Sequence, residues 1–192
     1  MLTDRQNQII SESINIIDKK GIQGLTIKNL SKELGISEPA IYRHFESKFH
    51  IFFEILNDFV SRTKKFNKQL IESDLTSLKK IENVFNKHIN LFIEKPAIIS
   101  VIFAGEIFSH DKVLYKKFHE IFISNENHFL KIIEEGQKAG EIKDDIDKNQ
   151  IVIILMGAFR LLVIKWKQSS YSFDIKTQGG NLFETLKLLI KK

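Results

Sequence analysis

The chain has 192 residues, of which 43% are hydrophobic and 28% are charged, and its formal net charge is +5. This length allows one or two domains with a buried core, and the composition is typical of a folded soluble protein. The absence of cysteine excludes disulfides and thiolate metal sites, and it is consistent with a reducing compartment. With no secretion signal and no apolar run near the ~20 residues of a membrane span, we predict a cytoplasmic protein without membrane contact.

Local sequence signals predict an all-α fold of about nine helices. Only 9 glycines and 2 prolines are present, and helices exclude both residues from their interiors. Apolar residues recur at helical spacing over residues 4–20, and Thr3 is placed to cap that helix. Thr26 precedes a second helix, residues 27–34, and Gly35 follows it where a left-handed turn is needed.

A third short helix is predicted from Ser37 to about His44, with Pro39 early enough to be tolerated. Ile41 and Phe45 lie at i and i+4, so they are expected to pack this helix inward. Two short helices joined by a glycine-containing turn and preceded by a longer helix predict a helix-turn-helix unit.

The remaining chain is predicted to be helical, with a domain boundary near residue 50. We expect residues 1–50 to form the helix-turn-helix domain and residues 51–192 to form a second, helical domain. Gly179-Gly180 is expected to break the chain before the last helix. The later predicted helices cover residues 48–70, 75–94, 97–108, 111–138, 149–167 and 181–191.

The N-terminal quarter carries an ordered set of family residues. These are Ile9-Ile10, Gly21, Gly24-Leu25-Thr26, Leu30 to Ser37, Ala40 to Phe45, and Ser47-Lys48. This string resembles the TetR family of bacterial one-component transcriptional regulators. The resemblance implies that the third helix lies in the DNA major groove and that the protein binds double-stranded DNA. The rest of the chain is similar to the family only in length, helicity and order of elements.

The resemblance also implies roles for individual residues. Those matching Tyr42, His44 and Lys48 approach phosphates, and the residue matching Thr26 caps the second helix against the DNA backbone. A Tyr hydroxyl and a Lys ammonium suit phosphate oxygens, and an Arg reads guanine. Alone, Tyr42 is as readily a half-buried helix aromatic, and His44 a surface residue near a helix C-terminus. The predicted DNA-contact residues are Thr26, Lys28, Ser37, Glu38, Pro39, Ala40, Tyr42, Arg43, His44 and Lys48.

A homodimer is expected because one helix-turn-helix unit reads few base pairs, and a two-fold dimer reads a palindromic operator. The last two helices are rich in apolar residues, and in the family two such helices from each subunit form a four-helix bundle. The alternative is that they are only core. The predicted interface residues are Ile151, Ile154, Leu155, Ala158, Leu162, Phe183, Leu186, Leu189 and Ile190.

A site for a small hydrophobic effector is expected in the middle helices, where many of the 16 Phe residues lie. His88 and His128 interrupt apolar faces there, and Asn86, Asn90 and Arg160 are further polar candidates. A plain Phe core is the alternative. The predicted ligand-binding residues are Phe85, His88, Phe92, Phe103, Phe122, Phe159 and Trp166.

No pattern in the sequence predicts catalysis, a metal or a cofactor. We find no nucleophile elbow, zinc-protease motif, phosphate-binding loop or dinucleotide fingerprint. The six histidines lack a tight metal-ligand spacing. The sequence therefore predicts a ligand-responsive regulator, expected to be a repressor released by its effector. The alternatives are a helical protein that acts through protein-protein contacts and, last, an enzyme.

Overall fold

The computed structural model describes residues 2–103, 108 and 111–192. These residues form nine α-helices and no strand, which confirms the predicted all-α fold. The helices are α1 (Asp4–Gly24), α2 (Ile27–Leu34), α3 (Glu38–Tyr42), α4 (Lys48–Ile71), α5 (Ser77–Glu94), α6 (Ala97–Ile102), α7 (Lys112–Lys138), α8 (Lys148–Gln168) and α9 (Ile175–Ile190). The helix expected over residues 97–108 begins as predicted, but residues 104–107 lie outside the described residues.

The predicted caps form at the first two helices. The Gln6 backbone N–H donates to Thr3 Oγ1 (3.2 Å), and the Thr3 N–H donates to Gln6 Oε1 (2.9 Å), which completes a capping box. The Asn29 backbone N–H donates to Thr26 Oγ1 (3.1 Å) at the start of α2. Helix α1 is interrupted near its predicted end, because Gly21 has φ 70° and ψ 177°.

The break predicted at Gly179-Gly180 is wrong, because α9 runs through both residues from Ile175. Gly179 is buried, and a Cβ atom there would lie 2.3 Å from Ile89 Cδ1 of α5. The glycine therefore serves a close approach of two helices rather than a turn.

The chain divides into two compact units, each built from two separate stretches of sequence. Unit 1 comprises Met1–Ser61 and Lys95–Glu120, and unit 2 comprises Arg62–Glu94 and Ile121–Lys192. Helices α4 and α7 each contribute residues to both units.

In unit 1, α1 packs against α2 and α6, and α2 packs against α3. Fully buried Ile9, Leu30 and Phe52 belong to its interior. The ring centroid of Phe108 lies 4.9 Å from that of Phe52 and 5.4 Å from that of Phe118. The interior of unit 1, which includes the two short helices, is thus formed by aliphatic and aromatic side chains.

In unit 2, α9 packs against α5 and α8 around an aromatic centre. The Phe85 ring centroid lies 4.6 Å from Phe159 and 6.2 Å from both Phe129 and Phe183. The main core cluster of unit 2 consists of Leu70, Ile81, Val84, Phe85, Phe129, Ile132, Ile133, Ile142, Ile151, Val152, Leu155, Phe183, Leu186 and Ile190.

Candidate nucleic-acid interface and buried aromatic region

The turn between α2 and α3 is closed by backbone hydrogen bonds. Gly35 has φ 65° and ψ 32°, and its N–H donates to Lys32 O at 3.3 Å. The Ile36 N–H donates to Ser31 O at 3.0 Å. These bonds satisfy the last carbonyls of α2, and the left-handed conformation favours glycine at this position. The turn therefore sets the direction in which α3 leaves α2.

Helix α3, which we call the recognition helix, is anchored on its inner side. Ile41 and Phe45 are buried, and the Phe45 ring meets the His50 ring edge-on at 5.6 Å. Gln6 Nε2 donates to the carbonyl oxygen of His44 at 3.2 Å. The start of α1 and the start of α4 thus both hold the end of the recognition helix.

The ten predicted DNA-contact residues lie in or beside α2 and α3 and at the first residue of α4. Seven are exposed: Thr26, Lys28, Ser37, Glu38, Pro39, Tyr42 and Arg43. Three are half-buried: Ala40, His44 and Lys48. Ser37 stands at the N-cap of α3 but makes no side-chain cap hydrogen bond.

Three cations belong to this set, and the described residues give none of them an ion-pair partner. They are Lys28 on α2, Arg43 after α3 and Lys48 at the start of α4. By contrast, Lys20 on α1 is held by Glu33 at 3.1 Å. Unpaired cations at these positions are available to phosphate oxygens or base edges.

The structure brings four of the predicted ligand-binding residues together in unit 2. The Phe92 and Phe159 rings lie 6.4 Å apart, and Phe159 also packs on Phe85. The His88 ring lies 6.3 Å from Phe92 and 6.2 Å from Phe159. This group is an aromatic region with one buried polar side chain.

Burial governs the protonation of two histidines here. Desolvation lowers the pKa of His88 to about 4, and His128 and Lys87 act in the same direction. His88 Nδ1 lies 3.0 Å from the Val84 carbonyl oxygen, which only accepts, so Nδ1 carries the proton. Desolvation likewise lowers the pKa of His128 to about 4. Both rings are therefore neutral at pH 7.

Three predicted ligand-binding residues lie elsewhere. Phe103 belongs to unit 1, and Phe122 is 52% exposed. Trp166 is buried, but its indole N–H donates to Phe173 O at 2.9 Å and its ring packs on Tyr171 at 4.8 Å, within the α8–α9 connection. The further polar candidates are exposed, namely Asn86, Asn90 and Arg160.

Sequence reasoning did not single out Asn67 on α4. Its Oδ1 atom and the Nε2 atom of His128 are buried and have no hydrogen-bond partner among the described residues. An Asn within an amphipathic helix gives no signal of this kind, because the burial arises only from tertiary packing.

The predicted interface residues separate into two groups. Five of them are buried in the core of the chain itself, where they face α5 or the other helix of the α8–α9 pair. Their side chains are therefore not available to a second copy of the chain. These five residues are Ile151, Leu155, Phe183, Leu186 and Ile190. Ile154 and Leu189 are exposed, and Ala158 and Leu162 are half-buried. Three further apolar residues of these helices are exposed, namely Ile153, Leu161 and Leu188.

Helix α8 is long and apolar enough, by length and composition alone, to cross a membrane, and 28% of its most apolar part is buried inside the chain. The core helix of a protein outside the membrane passes the same test. Among the described residues, no group of three or more His, Cys, Asp or Glu side chains could hold a metal ion.

Comparison with curated proteins finds relatives that cover most of the chain. The fatty acid metabolism regulator protein of Bacillus subtilis is 22% identical over 179 residues, covering 93% of this chain and 92% of that protein. The nucleoid occlusion factor SlmA of Aliivibrio fischeri is 26% identical over 163 residues, covering 81% of this chain and 82% of that protein.

Solved structures share the fold. The transcriptional regulator FadR from Bacillus subtilis, in complex with stearoyl-CoA, superposes with a TM-score of 0.79 at 22% identity, covering 94% of this chain and 96% of that chain. The ketosteroid transcriptional regulator KstR2 of Mycobacterium tuberculosis gives a TM-score of 0.85 at 13% identity, covering 100% of this chain and 97% of that chain.

Two family models divide the sequence between them. The model described as bacterial regulatory proteins, tetR family, matches residues 9–55, which include the whole helix-turn-helix unit. The model described as YsiA-like protein, C-terminal region, matches residues 52–191. The chain therefore belongs to the TetR family of bacterial regulatory proteins.

Proposed function

We propose that this protein is a ligand-responsive repressor that binds a palindromic operator as a homodimer in the cytoplasm and releases it when a small apolar effector binds. The observation that carries the proposal is the recognition helix. Ile41 of this helix and Phe45 just after it are buried, while Tyr42 in the helix and Arg43 directly after it are exposed. A short anchored helix with exposed hydrogen-bonding groups suits insertion into a major groove.

The ten DNA-contact residues divide by chemistry. Tyr42, His44 and Lys48 are proposed to bind phosphates and fix the register of the helix on the duplex. Arg43 is proposed to read guanine, and Pro39 and Ala40 to contact a thymine methyl. Thr26, Lys28, Ser37 and Glu38 complete the proposed contact set at the edges of the helix-turn-helix unit.

A second copy of the chain is the proposed partner of the α8–α9 surface. Leu161 is 60% exposed and Leu188 is 78% exposed, and Ile153 and Ile154 are exposed on the same helix as Leu161. Gly157 is exposed between them, with no atom within 4 Å of where its Cβ would stand. A glycine inside a helix costs about 1 kcal/mol relative to alanine, and a close helix-helix approach would justify it.

The aromatic region of unit 2 is the proposed effector site. Pockets for small molecules are lined by aromatic side chains with few polar groups, as around Phe85, His88, Phe92 and Phe159. The names of two relatives refer to apolar compounds, because one is called a fatty acid metabolism regulator and another a ketosteroid regulator. We infer a ligand with a long apolar body of the acyl or steroid type.

Helix α4 is the proposed link between effector and DNA. It begins six residues after the recognition helix ends and continues into unit 2 as one helix. A ligand that prefers one position of α4 would shift the population of DNA-competent dimers, provided that its affinities for the two states differ.

A footprint of the purified protein on the DNA upstream of its own gene tests this proposal. We expect protection of a palindrome whose half-site centres lie roughly one helical turn apart, and its loss on adding acyl thioesters or steroids. Uniform, sequence-independent protection would refute the operator, and a footprint unchanged by every apolar compound would refute the effector.

A second candidate is a DNA-bound protein that acts through contacts with another protein. The similarity to a nucleoid occlusion factor favours it. It predicts many chromosomal sites far from promoters, whereas the repressor predicts few sites, each beside a regulated gene. Mapping the bound sites across the genome separates the two.

A further inference from the structure

The recognition helix is too short to hold its own position. Helix α3 has five residues, and an isolated helix of that length is not stable in water. Ile41 and Phe45 anchor its inner side by burial, but apolar burial is not directional and tolerates small rotations. A hydrogen bond at the end of the helix is directional, so it would fix the angle at which the helix meets DNA.

Gln6 supplies such a hydrogen bond from α1. Its Nε2 atom donates to the carbonyl oxygen of His44 at 3.2 Å, from a position 38 residues away in the sequence. The N–H groups of His44 and Phe45 both donate to the Ile41 carbonyl oxygen, so His44 lies in the turn by which the chain leaves α3. The Gln6 side chain thus holds the backbone at the point where the recognition helix ends.

The two ends of the Gln6 amide have different partners. Oε1 accepts from the Thr3 backbone N–H at 2.9 Å and from the Thr3 hydroxyl at 3.2 Å, within the capping box of α1. Nε2 faces the His44 carbonyl oxygen, which only accepts. A backbone N–H on one side and a carbonyl oxygen on the other leave one orientation of the amide. Its oxygen therefore serves α1, and its nitrogen serves the recognition helix.

The residue type at position 6 points to the second role. The third position of a capping box takes Glu as readily as Gln, and the helix dipole favours a negative charge in the first turn. A carboxylate would cap α1 equally well, but it has no N–H to donate to His44. The cap therefore does not require an amide, whereas the contact with the recognition helix does.

We propose that Gln6 is a positioning residue for DNA recognition, whose amide nitrogen fixes the end of the recognition helix and so the angle at which Tyr42 and Arg43 meet the duplex. The inference rests on the proposed operator contacts and adds a residue that acts through the His44 peptide group. A displaced helix loses base contacts, which depend on geometry, and keeps the attraction of lysines to phosphates. The loss should therefore fall on operator DNA and spare non-operator DNA.

Gln6→Glu separates the two roles, because it keeps the acceptor that caps α1 and removes the donor to His44. Its melting temperature should equal or exceed that of the wild type, and its preference for operator over non-operator DNA should fall roughly tenfold. Tenfold corresponds to about 1.4 kcal/mol, the scale of two hydrogen bonds lost per dimer. Gln6→Met is uncharged and loses both roles, so it should show the same loss of preference together with a lower melting temperature.

Asn7→Asp is the matched control for charge. It converts an amide to a carboxylate at the next residue of α1, which is exposed. Its charge should weaken operator and non-operator binding by the same factor, and that factor should shrink as salt is raised. The roughly tenfold loss of preference in Gln6→Glu should remain at high salt, because it comes from geometry.

The His44 carbonyl gives a readout in the DNA-free protein. The chain contains two His-Phe pairs, at 44–45 and 128–129, so ¹³C in histidine carbonyls and ¹⁵N in phenylalanine amides give two correlated NMR signals. Both Gln6 variants should shift the 44–45 signal, and Asn7→Asp should leave it in place. The 128–129 signal is the internal reference. A role in the α1 cap alone would lower the melting temperature of Gln6→Met without changing the operator preference of either Gln6 variant.

An unchanged operator preference in both Gln6 variants would overturn the inference and leave the proposed function standing. A loss of preference with no shift of the 44–45 signal would also overturn it, because Gln6 would then act on the DNA directly. A wild type with no preference for any DNA sequence would refute the proposed operator and the inference together.

Discussion

The recognition segment, residues 26–48, and the α8–α9 part of unit 2 distribute polar and apolar side chains in opposite ways. The recognition segment buries Ile41 and Phe45 and exposes Tyr42 and Arg43. Unit 2 exposes Leu161 and other apolar residues, and it keeps uncharged polar groups in its interior. Exposed polar groups are satisfied by solvent, whereas a contiguous exposed apolar surface indicates a binding partner. We therefore expect DNA at the recognition segment and a second copy of the chain at the exposed apolar residues of α8.

The largest expected effect comes from placing a charge on the exposed apolar surface of α8. Leu161→Arg should leave the chain folded, because Leu161 is exposed, and should raise the dimer dissociation constant by roughly a thousandfold. The substitution removes two leucines from the interface of each dimer, and each removal costs about 2 kcal/mol of association free energy. A tenfold rise in the dissociation constant corresponds to about 1.4 kcal/mol. Light scattering measures the change.

Val113→Arg is the matched control, because Val113 is an exposed apolar residue on α7. It should leave the dimer intact. A dimer that survives Leu161→Arg but not Val113→Arg would show that the interface lies on α7 and not on α8.

Salt dependence tests the polar side of the comparison. Lys28, Arg43 and Lys48 give six cationic contacts per dimer, so the operator affinity should fall with a log-log slope of about −5, or about a thousandfold between 50 and 200 mM salt. Lys28→Gln should reduce the slope by about 2, since two copies are lost. The control Lys65→Gln, an exposed lysine of α4, should not change it, and a slope near zero in the wild type contradicts the electrostatic account.

The buried histidines predict a loss of stability in mild acid. The unfolded chain protonates His88 near pH 6.5, whereas the folded chain does so only near pH 4. Stability is thus complete above pH 6.5 and falls between pH 6.5 and 4. From pH 7 to 5.5, His88 should reduce the free energy of unfolding by about 1 kcal/mol.

Urea unfolding at the two pH values measures this loss, and His88→Gln should reduce it while His119→Gln should not. His128 contributes in the same direction, so part of the dependence should remain in His88→Gln. An unchanged pH dependence in that variant would mean that His88 is not desolvated in solution.

The smallest expected effect compares two caps within the recognition segment. Thr26→Ala removes a cap hydrogen bond and should cost about 1 kcal/mol of unfolding free energy. Ser37→Ala removes no cap hydrogen bond and should cost only a few tenths. Chemical denaturation distinguishes them, and equal losses would show that the Ser37 hydroxyl does cap α3.

The recognition segment was predictable because its structure is encoded locally. The capping Thr26 and the Asn29 N–H that donates to it lie three residues apart, and Gly35 marks a conformation that favours glycine. The sequence therefore predicted the caps of α1 and α2, the turn and the inward Ile41–Phe45 pair before any tertiary contact was known.

Unit 2 was predicted less well because its features depend on neighbours distant in sequence. Helix α8 is apolar nearly all round, so periodicity could not tell buried Leu155 from exposed Leu161. From the sequence alone, Gly179 looks like a helix-breaking residue, because its close approach to Ile89 is seen only in the folded chain. The burial of Asn67 has no counterpart in the local sequence.

The most direct test of DNA recognition is the operator affinity of the double variant Tyr42→Ala/Lys48→Ala, measured by fluorescence anisotropy. Its control is Tyr115→Ala/Lys65→Ala, which removes an exposed tyrosine of α7 and an exposed lysine of α4, both outside the recognition segment. Four phosphate contacts per dimer at about 1 kcal/mol each predict a loss of several hundredfold for the first variant and none for the second. Equal affinity of both variants and the wild type for the operator would contradict the assignment of the recognition segment as the DNA-binding surface.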